Sequence, residues 1–298
     1  MQISDIRLNG NMKETILYED ALLNHSYYIV SYDTYFQREV PWHWHDEIEL
    51  ISIVSGKALY KTGRQEYVLE SGDAIFLNAG FLHLLRPLQT GTVSHAHLFG
   101  RTFLSGSVDS TFDIRYLSPV LAQKQVEALP LYHHDSQAVP ILALLERADA
   151  LCEKKELFFE LRLRRILSEI WEWIFTQVET RLQSDCPIPL ANDTSVKQML
   201  LYIQEHYGET IRVSDLANVI HVSDRECYRL FQNHMDISPM EFLRQYRLRR
   251  AQALLIDTDQ SVTQIAMNTG FHSSSYFSKV FRNIVGMSPL AFRKKYSS

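Results

Sequence analysis

Two stretches of the C-terminal third carry the same residues at the same spacing. Phe231-Gln232-Asn233 and Phe281-Arg282-Asn283 are followed, after equal gaps, by Ser238-Pro239 and Ser288-Pro289, then by Phe242 and Phe292, and by Tyr246 and Tyr296. A repeat that keeps register from Phe231 to Tyr246 means two copies of one supersecondary unit.

The units read as helices because their starts are marked. Ser195-x-x-Gln198, Ser223-x-x-Glu226, Ser238-x-x-Glu241 and Ser261-x-x-Gln264 fit the capping box, in which side chains satisfy amides that lack partners at a helix start. Pro239 and Pro289 fall at the first helical position, where no amide hydrogen is needed. Between Leu216-Ala217 and Ser223, and between Ile265-Ala266 and Ser273, there is room only for a short turn. This is helix-turn-helix spacing, twice. Val196, Met199, Leu200 and Ile203 form the apolar stripe of a preceding helix. The long helix after Pro239 is predicted to turn Phe242, Leu243, Tyr246, Leu254 and Leu255 inward and Arg244, Arg247, Arg249 and Arg250 outward. Such a bar holds two recognition helices for successive major grooves, about 34 Å apart.

Ile265-Ala266, Gly270-Phe271, Ser273-x-x-Tyr276-Phe277-x-Lys279-x-Phe281 and Gly286-Met287-Ser288-Pro289-x-x-Phe292-Arg293 resemble the signature of AraC/XylS-type transcriptional regulators, from Thr194 to the end of the chain. Asp236 stands where the second repeat has Gly286, and Lys279 where the family usually has Arg. Lys lacks the planar fork that reads guanine. The resemblance places base-reading residues at Arg225, Tyr228 and Arg229 in the first unit and at Ser274, Ser275, Ser278 and Lys279 in the second. It implies double-stranded DNA, RNA polymerase and a small-molecule effector as partners.

The net charge of -5 argues against DNA until it is divided by region. From Leu190 onward there are 13 Lys and Arg against 10 Asp and Glu; the remainder has 17 against 25. An acidic regulatory part joined to a basic part fits nucleic-acid binding. Cys152, Cys186 and Cys227 are odd in number and form no CxxC motif, which suits a reducing compartment. With no apolar run of membrane-spanning length and no leader pattern, the expected location is cytoplasmic, away from membranes.

The N-terminal half reads as short strands: Tyr27–Tyr32, Ile48–Val54, Ala58–Lys61, Glu66–Leu69, Ala74–Leu77 and Val93–Phe99, with glycines between them. Regular spacing of this kind predicts a small barrel or jelly roll. The fold class is α+β, a barrel with flanking helices followed by an all-α domain of two helix-turn-helix units. His43, His45, Glu47 and Glu49 alternate, so one strand is predicted to present all four on one face. With Gly56, Gly72 and His83 the spacing resembles the two cupin motifs, although Asn78 replaces the usual Pro and Pro87 the usual Asn. In metal-binding cupins the positions matching His43, His45, Glu49 and His83 hold a divalent ion. In regulators with the same residues, His43, His45, Glu47, Glu49 and His83 instead line an effector pocket, the family resemblance pointing to a sugar or sugar derivative. Both readings stand at this point, as does a metal-dependent cupin enzyme, for which the doubled recognition unit has no use. His95 and His97 read as a satisfied or solvated strand face.

The boundaries are a barrel over 1–136, a helical dimerisation segment over 137–183, a Pro-containing linker over 184–193 and the DNA-binding domain over 194–298. The second helix of the dimerisation segment, Glu156–Leu182, carries Phe158, Leu161, Ile166, Ile170, Trp173, Ile174 and Val178, more apolar surface than one barrel-facing stripe needs. Part of it is predicted to meet a second copy.

Overall fold

A computed structural model describes residues 2–3, 6, 8, 12–18, 20, 22–35, 38–123, 125–183, 193–235 and 237–296. The chain forms two compact units, residues 1–191 and 192–298. The linker segment 184–192, with its prolines and Cys186, and Asp236 lie outside the described residues.

The first unit contains strands β1 (Gln2–Ile3), β2 (His25–Ser31), β3 (Val40–His43), β4 (Ile48–Ser55), β5 (Lys57–Thr62), β6 (Glu66–Glu70), β7 (Ala74–Leu77), β8 (His83–Pro87), β9 (Val93–Phe99) and β10 (Ala128–Leu131). They build two sheets, ordered β1-β2-β9-β4-β7-β10 and β3-β8-β5-β6. The pairs are antiparallel except β1 with β2. The helices are α1 (Arg101–Ser105), α2 (Ser118–Leu121), α3 (Val139–Lys154) and α4 (Phe159–Gln183).

Both faces of the larger sheet are covered. Side chains alternate along a strand, so Tyr28, Val30, Ile51, Ile53, Ala96 and Leu98 point into the core between the sheets. Their neighbours Tyr27, Ile48, Leu50, Phe76 and Phe99 pack outward against α3 and α4. Ile141, Leu145 and Ala148 of α3 and Leu163, Ile166, Leu167, Ile170, Ile174 and Val178 of α4 complete that outer layer. Most of the apolar surplus predicted on α4 is therefore used within the unit. The exposed remainder is Leu157, Phe158 and Leu161, at the helix start. Asn78, the departure from the cupin pattern, is fully buried and donates to the carbonyls of Val120 (3.1 Å) and Val126 (3.1 Å), tying α2 and the approach to β10 to the sheet.

The predicted single strand from His43 to Glu49 does not form. β3 ends at His43 in the smaller sheet and β4 begins at Ile48 in the larger, so the chain changes sheets over the intervening residues. Strict alternation cannot reveal a crossing of this kind, because it concerns which partner each segment pairs with.

The second unit is helical: α5 (Asp193–His206), α6 (Val213–Val219), α7 (Asp224–Met235), α8 (Pro239–Asp257), α9 (Val262–Asn268), α10 (Ser274–Val285) and α11 (Pro289–Tyr296). Ser223, Ser238, Ser261, Ser273 and Ser288 cap their helices by accepting an amide hydrogen bond three residues on, at 3.1–3.3 Å. The box is reciprocal at Ser261, where Gln264 accepts from the Ser261 amide at 2.9 Å. Ser195 is not a cap, because α5 begins earlier, at Asp193. α8 buries Phe242, Leu243, Leu248, Ala251 and Leu255, with Tyr246 and Leu254 half-buried. Of its arginines only Arg250 is exposed. Arg247 turns back to donate to the carbonyls of Tyr207 (2.8 Å) and Glu209 (2.6 Å), and Arg244 pairs with Glu241.

Candidate functional site

The pairs α6–α7 and α9–α10 are the two helix-turn-helix units. Cys227, Leu230 and Phe231 hold α7 to its unit, while Arg225, Tyr228 and Arg229 face solvent. Residues three and four apart share a helix face, so these three form one exposed patch. In α10, Phe277, Val280 and Phe281 are buried, Ser275 and Lys279 are exposed, and Ser274 and Ser278 are half-buried. Ser275, Ser278 and Lys279 thus repeat the placement of Arg225, Tyr228 and Arg229. Tyr228 does not pack beneath its helix; 44% of it is exposed. Arg229 is engaged by Glu226, through Nε to Oε2 at 2.8 Å and Nη2 to Oε1 at 2.5 Å.

In the barrel, strand pairing brings the histidines together. His43 lies opposite His83 across β3 and β8, and their rings are 3.9 Å apart by centroid. His45 follows on the crossing segment, and Glu49 projects inward from β4. Glu49 Oε2 is 3.4 Å from His45 Nε2 and 3.4 Å from His83 Nε2, and it accepts from the Tyr60 hydroxyl at 3.3 Å. Glu14, which no local pattern marks, places Oε2 3.4 Å from His43 Nε2. All five of these residues, His43, His45, Glu49, His83 and Glu14, are buried. Glu47 points elsewhere, accepting from the Tyr18 hydroxyl at 2.5 Å.

Each imidazole is oriented by the backbone. Nδ1 of His43, His45 and His83 lies 2.8, 3.0 and 2.8 Å from the carbonyls of Pro41, Glu47 and Phe81. A carbonyl only accepts, so Nδ1 carries the hydrogen and Nε2 is directed to the cluster. Burial pushes His43 down to about 4, with His45 adding to the effect. Burial also opposes charge on His45, but its hydrogen bond and attraction to Glu49 outweigh this and push it up to about 9. The ring nitrogens of the three histidines approach one another within 4.8 Å. Tetrahedral ligands about 2.1 Å from a metal are about 3.4 Å apart, so the donor set fits a divalent ion. The adjoining cavity, walled by Glu14, His43, Glu49, Tyr60, His83 and Ser94, has a volume of about 30 Å³.

His95 and His97 lie outside the barrel, beneath α3, and both are satisfied by Asp149. Among the described residues no helix is long and apolar enough to cross a membrane.

Residues 216–295 match the family described as helix-turn-helix domain, and residues 26–170 match the AraC-like ligand binding domain. The chain is 26% identical over 292 residues to the HTH-type transcriptional regulator YdeC of Bacillus subtilis, covering 97% of this chain and 98% of the relative. It is 25% identical over 269 residues to the HTH-type transcriptional activator RhaS of Salmonella schwarzengrund, covering 87% and 89%. A crystal structure of an AraC-type regulator from Chromobacterium violaceum is 28% identical, spans 35% of this chain and 94% of its own, and has a TM-score of 0.34. A ligand-binding barrel and a doubled helix-turn-helix, each matched in its own part of the sequence, make this chain a member of the AraC/XylS family: a ligand-responsive DNA-binding transcriptional regulator and not an enzyme.

Proposed function

We propose that the effector is a divalent metal ion held by His43, His45, Glu49 and His83, and that its binding controls how a cytoplasmic dimer engages DNA and RNA polymerase. The observation that carries this reading is the set of three imidazoles with Nδ1 tied to backbone carbonyls and Nε2 turned to carboxylates, His45 and His83 to Glu49 and His43 to Glu14. Imidazole and carboxylate donors suit zinc, iron, nickel or manganese. An ion displaces the proton between His45 and Glu49 and ties β3, β8 and β4 together, so the effector joins both sheets. The cavity supports the same choice: about 30 Å³ leaves room for only a few water molecules, whereas sites that enclose a small organic ligand run to about 300 Å³ and more.

DNA is read by Arg225, Tyr228 and Arg229 in one groove and by Ser274, Ser275, Ser278 and Lys279 in the next. Residues 137–183 supply the dimer contact, through the exposed start of α4, and 184–193 link the domains.

A second reading, a sugar or sugar derivative, is favoured by the Glu14 carboxylate and Ser94 hydroxyl on the cavity wall. It requires the cavity to open. Metal analysis of protein purified without chelator, followed by duplex binding with the ion removed and restored, decides between them. Loss of one ion per chain in His45→Ala, with DNA affinity that follows that ion, is the expected result. Metal-free protein that melts higher only with a sugar would overturn the metal reading in favour of the second.

A further inference from the structure

A second group of metal-ligating side chains lies outside the barrel, between the outer face of the larger sheet and α3. His25 on β2 and His97 on β9 project from the same sheet face, because Tyr27 pairs with His97 and His25 with Phe99. Asp149 and Cys152, three residues apart on α3, face them from one side of that helix. His25 Nε2 and His97 Nδ1 are 3.0 Å apart, and a ring nitrogen of each histidine and Cys152 Sγ all lie within 4.8 Å of one another. All three residues are buried, within a layer otherwise made of Tyr27, Phe99, Phe103, Leu145 and Ala148.

Asp149 decides what these nitrogens do. Its Oδ1 is 2.8 Å from His97 Nε2. A carboxylate only accepts, so His97 carries its hydrogen on Nε2 and turns the lone pair of Nδ1 toward His25 and Cys152. Asp149 Oδ2 accepts from His95 Nδ1 at 3.1 Å, which holds the carboxylate in place. A carboxylate that orients an imidazole whose other nitrogen faces two further donors is the arrangement found behind zinc ligands. Polar groups are costly in an apolar layer unless they satisfy one another.

We propose that His25 Nε2, His97 Nδ1 and Cys152 Sγ form a second metal site, for a thiophilic divalent ion such as zinc, with Asp149 as the positioning residue behind His97. One nitrogen pair and one thiolate suit zinc, with a fourth tetrahedral position left for a water or small anion. Binding releases the Cys152 thiol proton, and the hydrogen between the two imidazoles moves to His25 Nδ1. The ion clamps α3 to β2 and β9, independently of the barrel cluster.

Cobalt(II) titration of full-length, chelator-stripped protein tests this. Thiolate ligation produces an intense near-ultraviolet sulfur-to-cobalt band, which nitrogen and oxygen donors do not. The band is expected to vanish in Cys152→Ser and to survive in His45→Ala, where it saturates at one equivalent because the barrel site is lost, so failure of the barrel reading leaves this test intact. Asp149→Asn, with the thiol retained, is expected to weaken cobalt binding about 10- to 100-fold. Absence of the band in folded wild-type protein overturns the site. So does a band that persists in Cys152→Ser, which would place the thiolate at Cys186 or Cys227. Should Cys152→Ser not fold, the Asp149→Asn titration decides, and unchanged affinity there counts against the site.

Discussion

Gly270 backs directly onto Tyr207: a Cβ at Gly270 would lie 2.3 Å from the Tyr207 carbonyl oxygen, the same oxygen that accepts from Arg247 Nε. The turn before α10, the arginine from α8 and the exit of α5 thus share one point of contact. Gly270 also has φ +79, a conformation that costs a side chain about 1–2 kcal/mol by itself. Gly270→Ala is expected to destabilise the second unit by at least about 2 kcal/mol, because the obstruction is backbone and cannot swing away. Calorimetry should show that unit melting about 8 °C or more lower, with the barrel transition unmoved. An unchanged thermogram would show that the contact relaxes without cost.

Glu226 holds the Nε–Nη2 edge of the Arg229 guanidinium through its two oxygens. DNA phosphate or guanine must compete with that carboxylate. Glu226→Ala is expected to tighten binding to arbitrary duplexes several-fold and to steepen the salt dependence by about one counterion. Fluorescence anisotropy across a salt series measures both; equal slopes for the two proteins would mean that Arg229 stays away from DNA.

The two recognition helices present different chemistry at equivalent positions. An arginine such as Arg225 can grip a guanine edge with two hydrogen bonds, worth about 1–3 kcal/mol of discrimination, whereas Ser275 is short and Lys279 is a point charge. Arg225→Ala should flatten preference at one half-site, and Lys279→Ala should weaken all sequences alike. Binding to a panel of single-base variants separates these outcomes. Equal base sensitivity at both half-sites would contradict the asymmetry.

Local chemistry explains how far the sequence could be read. The caps at Ser223, Ser238 and Ser261 act within three residues, so the helix-turn-helix units were legible from their own letters, and the family comparisons agree. The six strands predicted from periodicity are present within a few residues of their expected bounds. β10 lies in a stretch, Asp109 to Leu131, that reads from its letters as mixed loop and short helix; its Pro130 is tolerated because the strand is at the sheet edge. β3 and β8 are short and take their identity from pairing with each other. The same nonlocality hid the sheet crossing before Glu49, the approach of Glu14 to His43, and the polar group under α3, where Asp149 and Cys152 meet histidines far away in sequence.

Asp113 is fully buried, accepting from Arg101 Nε at 2.8 Å, from a second Arg101 nitrogen, and from the Asp109 amide at 2.8 Å. Burial works against its charge, but the Arg101 hydrogen bonds prevail and hold its pKa below the usual 3.8. A depressed folded pKa gives stability that is present above 3.8 and lost as pH falls through the folded value. Asp113→Asn should cost about 2 kcal/mol at neutral pH and less below pH 3.8. Urea melts at several pH values test this. A difference from wild type that is constant down to strong acid would assign the loss to packing instead.

Leu157 and Phe158, just before α4, and Leu161 in its first turn are 76%, 58% and 70% exposed, while Leu163, Ile166, Leu167, Ile170, Ile174 and Val178 of that helix are buried in their own unit. An apolar group of this size at the mouth of a helix is free to meet its copy, as the proposed dimer requires. A twofold contact counts each residue twice. Removing one leucine from it at about 1.5 kcal/mol per copy costs roughly 3 kcal/mol, or at least about 100-fold in dimer affinity. Leu161→Glu leaves the core untouched, so the chain should stay folded while sedimentation shifts from dimer to monomer and operator affinity falls with it. A variant that sediments as wild type does would place the dimer contact elsewhere on the unit, and a wild-type chain that is monomeric at micromolar concentration while binding its operator tightly would remove the need for one.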